Sequence, residues 1–457
     1  MSIARQLAER ISALRYEDLP PEAIYWSRIA LLDTVGVTLA GAVEQAPHIL
    51  EDVLELQGGS SSLIFGGTRR VSCLDAALVN GTAAHMLDFD NATNTMFGHA
   101  SATMIPALLA AAEAHGGSGR DLLAAHVAGF ETGARLGHGL NLHHYEKGWH
   151  PTSTLGVIAV AAACARLLKL SVDQTEIALA ISASLASGIK ANFGTMTKPL
   201  HSGQCARSGL FAALLARKGF TASPDAFEHE HGFFNVYNGL GNYDAARIVD
   251  DWGNPYDIVN PGACYKQYPS CASTHAVIDA ALMLAREHGP FKAAALARVE
   301  SWTYAGRLKH TNRPDPESAL DAKFSVQYCV ARALLSGKVL LEHFEGDGHL
   351  DPAVRELLPR VHASPYTVEF FPSGSHVGAA VKITLADGKE YSARLEKPLG
   401  RTALNPIAFE QMKAKFENCA LRVLAPQAVA EVLCVTESFE NVNAVRDFTA
   451  LLEPRQT

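Results

Sequence analysis

The hydrophobic pattern of this chain changes near residue 261, and that change limits the folds it can adopt. Before this point the sequence is rich in Ala and Leu, and its apolar residues recur with the helical period. Ile24, Leu31, Leu32 and Val35, for example, fall on one helical face. After this point apolar and polar residues begin to alternate, as they do in strands. The two periods predict a large helical domain and a smaller α+β domain.

Several helices can be placed in the first part from their end signals. One is predicted after Pro20-Pro21 and before Gly41, and another over 105–115, before two glycines. The stretch 155–170 is apolar almost all round, which is typical of a buried helix. Ser171 and Gln174 have the spacing of a capping box and predict a further helix to about residue 185.

The later part of the chain carries strand signals. Residues 294–304 read as a strand, and a hairpin is predicted around Asp387-Gly388, with a type I′ turn. A helical pattern returns over 407–424. We therefore predict a mainly α chain with an all-helical domain formed by both chain ends, 1–264 and 401–457, and an α+β lid domain over 265–400.

The composition of the chain argues against some classes of function and some cellular locations. The net charge of −8 argues against a nucleic-acid-binding surface, which requires a basic face. The chain begins with an amphipathic pattern rather than a signal peptide, and its apolar stretches are too short to span a bilayer. Eight cysteines without a CxxC pair suggest reduced thiols. We expect a cytoplasmic protein without a nucleic-acid or membrane partner.

Common nucleotide-binding, zinc-binding and catalytic-serine motifs are not found in the sequence. It has no P-loop, no HExxH and no GxSxG, and the glycines around residue 117 are typical of a turn. Histidines 143, 144 and 150 cluster, as do histidines 229 and 231. Neither group has the tight spacing with a carboxylate or cysteine that zinc sites show, so we expect no metal.

Four polar segments interrupt the apolar helices: HMLDFD at 85–90 with GHAS at 98–101, YEKGWHPTS at 145–153, TMTKPLHSG at 195–203, and KQYPSCASTH at 266–275. They supply imidazoles, lysines and hydroxyls, with few carboxylates. Such groups suit a substrate with two or three carboxylates. Proton removal beside a carboxylate creates a carbanion that cationic and hydrogen-bonding groups stabilise. The base can be a lysine or a tyrosine whose pKa its surroundings lower.

These segments, in this order, resemble the motifs of the MmgE/PrpD family, as do Asp33-Thr-Val-Gly36 and Ser325-Val-Gln-Tyr328. The resemblance covers essentially the whole chain. It implies a homodimer whose active site lies between a helical domain and a lid domain, without metal or organic cofactor. Family members include 2-methylcitrate dehydratase, cis-aconitate decarboxylase and iminodisuccinate epimerase.

The resemblance also assigns residues. It places active-site positions of the decarboxylase at Asp88, His99, His150 and Lys198. Two positions depart from that enzyme. Cys271 stands where it has a histidine, and His310, before Asn312-Arg313-Pro314, stands where it has a tyrosine. Both departures weigh against cis-aconitate decarboxylation.

Tyr145, in the same segment as His150, favours epimerisation, because epimerisation needs acid/base groups on both faces of one carbon. Tyr145 and Lys198 are our candidates for that pair, with iminodisuccinate as substrate. A 2-methylcitrate dehydratase is the alternative, and cis-aconitate decarboxylation is third. Six further residues are expected to bind substrate: His201, Lys266, Cys271, His275, His310 and Arg313.

Simpler interpretations stay open at this point. Asp88 and Asp90 can cap a helix, buried histidines can be structural, and Tyr145 can merely pack. Outside catalysis by proton transfer, the sequence also allows a silent dimeric scaffold or a metal-dependent hydrolase.

Overall fold

The computed structural model describes residues 1–54, 61–402 and 405–454. The chain divides into two compact units, Met1–Cys264 with Ala408–Thr457, and Tyr265–Ile407. The fold is mainly α, as predicted, with a small α+β part.

The α-helices of the first stretch are α1 (Ile3–Ala13), α2 (Pro21–Ala42), α3 (Gln45–Val53), α4 (Cys73–Met86), α5 (Ala100–His115), α6 (Gly119–Leu140), α7 (His143–Glu146), α8 (Pro151–Thr154), α9 (Gly156–Leu167), α10 (Val172–Ser184), α11 (Thr197–Arg217), α12 (Phe233–Asn238) and α13 (Ala246–Val249). Those that follow are α14 (His275–His288), α15 (Ala305–Thr311), α16 (Ala319–Lys323), α17 (Val326–Ser336), α18 (Pro352–Leu357), α19 (Phe409–Ala420), α20 (Pro426–Glu437) and α21 (Val445–Ala450). The strands are β1 (Ser62–Leu63), β2 (Arg70–Val71), β3 (Ala92–Thr93), β4 (Ala263–Cys264), β5 (Leu296–Tyr304), β6 (Val361–Tyr366), β7 (Ala379–Leu385) and β8 (Glu390–Leu395).

The centre of the first unit is the close packing of α4 and α11. Both helices have a glycine at the crossing. A Cβ on Gly81 would meet Gly203 Cα at 2.9 Å, and one on Gly203 would meet the carbonyl oxygen of Leu78 at 2.2 Å. Larger residues would therefore push the two helices apart. The crossing brings His85, near the end of α4, towards the start of α11, where Lys198 and His201 lie.

The helix predictions are confirmed, with changes at the ends. The capping box of Ser171 and Gln174 is formed, and α9 is buried except at Arg166. Gly41 lies inside α2 rather than after it. The position suits glycine because a Cβ there would meet the carbonyl oxygen of Ala83 at 2.0 Å. Its role is close packing and not helix termination. The helix predicted over 105–115 begins earlier, at Ala100.

The second unit is built on a four-stranded sheet of order β6-β5-β7-β8. β5 pairs in parallel with β6 and antiparallel with β7, so the sheet is mixed. Its buried side chains, such as Val299, Val381 and Ile383, share one core with α14 and α17.

The predicted hairpin joins β7 and β8. Its turn is not type I′. Gly388 has a φ of 85°, whereas Asp387 does not take a positive φ, and the Gly388 amide donates to the Leu385 carbonyl. Type I′ needs a positive φ at both central residues, so the loop is a type I turn followed by a left-handed glycine.

Within the described residues, no single helix is both long and apolar enough to cross a membrane. On length and composition alone, α2 and α3 taken together pass that test, and they meet at an angle of 75°. The eight cysteines all lie in the described part of the chain, and they form no disulfide there.

Candidate active site in the helical unit

Three of the predicted catalytic residues lie at helix N-termini. His99 precedes α5, His150 precedes α8, and Lys198 is the second residue of α11. The His99 amide donates to Thr152 Oγ1 at 3.0 Å, which ties the first two helix starts together. Helix N-termini carry partial positive charge and unpaired amides, so this region of the first unit suits an anionic ligand.

Lys198 is paired with Asp88. Its Nζ lies 2.7 Å from Asp88 Oδ1, and their side chains are 19% and 26% exposed, so both remain accessible to a small molecule. Asp88 has a φ of 52°, a left-handed conformation that Asp tolerates better than most residues. Because the pair joins a proton donor to an acceptor at hydrogen-bond distance, it can pass a proton between the two groups.

Asp90 connects two histidines behind this pair. Its two oxygens lie 2.9 Å from His85 Nδ1 and 2.8 Å from His99 Nδ1. Burial acts to raise the pKa of Asp90, but the two imidazoles bring it well below its usual range. An ionised carboxylate only accepts hydrogen bonds, so both Nδ1 atoms must donate. In a ring that is neutral, the Nε2 atom is then the acceptor.

These tautomers determine what the histidines can do. His99 Nε2 lies 4.0 Å from Asp88 Oδ1, so this imidazole stands beside the Lys198 pair. Burial lowers the pKa of His85 to about 4, so its ring is neutral at pH 7. His85 Nε2 is buried and has no hydrogen-bond partner among the described residues. Lys198, Asp88, His99, Asp90 and His85 form one polar network, which we call the Asp90 network.

His150 and His201 form a second pair in the same unit. Their Nδ1 atoms are 3.1 Å apart, and the His150 ring stacks on His85 with centroids 6.0 Å apart. Burial lowers the pKa of both histidines, so one neutral ring donates to the other. Phe193 lies edge-on to His150, with 4.8 Å between centroids, and its ring centroid is 5.4 Å from Lys198 Nζ. An apolar ring of this kind limits the access of water.

Tyr145 is half-buried and packs against two other residues. Its ring centroid is 5.9 Å from that of Phe97 and 3.5 Å from Lys190 Nζ. Lys190 therefore supplies the neighbouring positive charge that a tyrosine base requires. Its pairing with Lys198 across a substrate carbon stays a prediction.

The Asp90 network also contains atoms that a metal ion would choose. His85, Asp88, Asp90 and His99 each offer one ligand atom, and these atoms lie within 4.8 Å of one another. Two features of the donor set favour internal pairing instead. Asp90 already accepts from two imidazoles, and the Lys198 ammonium lies against Asp88. Of the three histidines that cluster in the sequence at 143, 144 and 150, the first two contact Asn238, whereas the third contacts His201.

The remaining predicted residues belong to the second unit, where two of them meet. Cys271 Sγ lies 3.8 Å from His310 Nε2, which also lies 3.0 Å from Ser273 Oγ. Arg307 completes this group, with its guanidinium 3.3 Å from the same hydroxyl. His310 is exposed and Cys271 half-buried.

The other three have separate surroundings in that unit. Arg313 forms an ion pair with Asp321 and lies over the Phe324 ring. His275 is buried, with Nε2 3.3 Å from the Ser270 carbonyl, and Lys266 is also buried. Their assignment to substrate binding stays a prediction.

His85 and Asp90 are central to the network, although the sequence analysis does not predict them as site residues. Both lie in the HMLDFD segment, where the i, i+3 and i+5 spacing was the available signal. Lys190 and Phe193, by contrast, carry no pattern that marks them.

The geometry brings carboxylate, imidazole and ammonium groups together at helix N-termini, the kind of place where anions bind in proteins. Comparison with known proteins identifies the family of the chain. The MmgE/PrpD N-terminal domain model matches residues 5–245, and the MmgE/PrpD C-terminal domain model matches 268–440. The chain belongs to the MmgE/PrpD family of enzymes.

Its relatives include three proteins matched over nearly the full length. It is 30% identical to cis-aconitate decarboxylase of Homo sapiens, over 99% of this chain and 95% of that one. It is 29% identical to the Mus musculus enzyme of that name, over 99% and 93%. It is 28% identical to cis-aconitate decarboxylase-like protein oryM of Aspergillus oryzae, over 99% and 97%.

Proposed function

We propose that this enzyme moves protons at a carbon next to a carboxylate of a small polycarboxylic acid, without a cofactor. The observation that carries the proposal is the Lys198–Asp88 pair, backed by the Asp90 network, at three helix N-termini. Fixed positive charge stabilises a carbanion next to a carboxylate. Asp88 and His99 can take up or return the proton that Lys198 exchanges.

The particular reaction we propose is epimerisation of iminodisuccinate. The proton leaves the α-carbon on one face and another is added on the opposite face, with Lys198 and Tyr145 as the two groups. Because epimerisation is reversible, each group serves as acid in one direction and as base in the other. Lys190 against the Tyr145 ring supports this role, since it stabilises negative charge on the phenol.

Two lyase reactions are the alternatives. In a dehydratase of the 2-methylcitrate type, the same carbanion would expel a β-hydroxyl group. Decarboxylation of cis-aconitate is favoured by the names of the relatives. Against it stand Cys271 and His310, at positions where the resemblance expects a histidine and a tyrosine.

Proton NMR of the pure enzyme in D₂O tests all three. One stereoisomer of iminodisuccinate should gain deuterium at its α-carbon while the other stereoisomers appear. Parallel samples with 2-methylcitrate and cis-aconitate should show no new alkene signal and no loss of CO₂. Either of those changes, without exchange in iminodisuccinate, would replace the epimerase by the corresponding lyase.

The same assay tests whether the reaction needs a metal ion. Dialysis against EDTA should leave the rate unchanged, and a loss of rate that a divalent ion restores would identify a metal enzyme.

We also propose a homodimer in the cytoplasm. Light scattering after size exclusion should give twice the chain mass, and the mass of one chain would contradict the dimer.

A further inference from the structure

A buried ion pair lies behind the segment that carries Asp88 and Asp90. Asp33, in α2, is 2% exposed, and Lys415, in α19, is 8% exposed. Lys415 Nζ lies 2.6 Å from Asp33 Oδ1. The pair joins a helix near the start of the chain to one from the C-terminal segment, both in the first unit.

Each member of this pair also binds the backbone of the segment. Lys415 Nζ donates to the Phe89 carbonyl at 2.7 Å and lies 3.9 Å from the centroid of the Phe89 ring. Asp33 Oδ2 accepts from the amide and from the side chain of Asn91, both at 3.1 Å. The segment is therefore held at two successive points by one ion pair.

Successive residues of the segment contact opposite partners. Asp88 and Asp90 bind Lys198 and the imidazoles, whereas Phe89 and Asn91 bind the ion pair. Holding Phe89 and Asn91 restrains Asp90 between them, because the peptide plane between Phe89 and Asp90 cannot rotate without breaking the bond from Lys415 to the Phe89 carbonyl.

We infer that Lys415 and Asp33 are positioning residues, which hold Asp88 and Asp90 in the geometry that proton transfer requires. The inference rests on the proposed function, which gives the two carboxylates their role. Asp90 must reach two imidazoles at once, and Asp88 must keep a left-handed backbone. Such a conformation persists when its surroundings enforce it, and small displacements of catalytic groups reduce rates strongly.

The decisive variant is Lys415→Met combined with Asp33→Asn. Removing both charges leaves no buried charge unpaired, so the fold should survive better than in either single variant. We expect kcat to fall by about 10- to 100-fold and KM to change by less than about threefold, because positioning acts on the chemical step. The single variant Lys415→Arg keeps the positive charge and the hydrogen-bond donors, and should lose less kcat than the double variant.

Arg70 offers a matched control. It pairs with Glu113 at 2.7 Å and with Glu453 at 2.6 Å, so it too ties the C-terminal segment to the earlier part of the first unit. Arg70→Met should lower the melting temperature and leave kcat unchanged. This separates a general loosening of the C-terminal segment from a specific loss of positioning.

Hydrogen exchange, read by mass spectrometry over residues 87–92, provides a readout without substrate. Exchange should accelerate in the double variant, where the bond from Lys415 to the Phe89 carbonyl is lost and the Asn91 amide faces a carboxamide in place of Asp33, and not in Arg70→Met. Unchanged exchange, an unchanged kcat, or an equal loss of kcat in Arg70→Met would each overturn the inference. If the wild type acted on none of the three substrates, the proposed function would fail, while exchange would still decide whether the pair holds the segment.

Discussion

The two units present their polar residues in different ways. In the first unit, Asp90 is fully buried and holds two imidazoles by their Nδ1 atoms, and only the Lys198–Asp88 end of the network is accessible. In the second unit, His310 is exposed and lies at 3.8 Å from Cys271.

We propose that this difference reflects different roles of the two units. Groups whose tautomers and charges are fixed by burial are suited to proton transfer, because little reorganisation accompanies the reaction. Exposed groups with long contacts are suited to adapting to a ligand. We therefore expect variants of the first unit to lower kcat, and variants of the second to act mainly on KM.

The largest effect should come from Lys198→Ala. Loss of a general acid or base typically lowers the rate by about 10²- to 10⁴-fold, and we expect kcat to fall in this range. Steady-state kinetics on the substrate found by NMR would measure it. Lys169→Ala, at an exposed lysine, is the control. A Lys198→Ala enzyme with a normal rate would show that Lys198, and with it the proposed site in the first unit, does not carry out proton transfer.

Tyr145→Phe tests whether a second group of the first unit is needed. In an epimerase the loss should match that of Lys198→Ala, since each group serves one face of the carbon. In a dehydratase the loss should be milder. Comparing kcat for the two variants on the same substrate distinguishes these cases, and a rate equal to wild type would exclude Tyr145 from the mechanism.

Cys271→Ser with His310→Asn tests the second unit. Removing the thiol and imidazole should raise KM by about 10-fold, equivalent to about 1.4 kcal/mol of binding, and change kcat little. A fall in kcat as large as that of Lys198→Ala would show that both units carry the chemistry.

A separate prediction for the first unit concerns stability at acid pH rather than the rate. Burial lowers the pKa of His144, in the first unit, to about 4, below its value of about 6.5 when unfolded. Its contribution is complete above pH 6.5 and is lost as the pH falls towards 4, by at most about 3 kcal/mol. Urea unfolding from pH 7 to 4.5 should be less pH-dependent in His144→Asn. An unchanged slope would contradict this.

The sequence predicts these regions unevenly. The motifs single out His99, His150 and Lys198 as candidates, but the hydrophobic period did not predict that they lie at the starts of α5, α8 and α11. The bond from Lys415 to Phe89 joins residues 326 positions apart, and no local pattern encodes it. The sequence wrongly indicates a helix end at Gly41, because the tight packing of Gly41 against Ala83 depends on a helix crossing. Local rules thus predict that a helix is present and where a capping box forms, while some helix ends and the supporting contacts depend on tertiary packing.

The most direct test of the account is the exchange of substrate α-protons with D₂O, followed by NMR in three proteins: the wild type, Lys198→Ala, and the Cys271→Ser/His310→Asn variant at saturating substrate. We predict rapid deuterium incorporation by the wild type and the double variant, and none above background with Lys198→Ala. Exchange that survives in Lys198→Ala but disappears in the double variant would place the proton-transfer groups in the second unit and contradict the account.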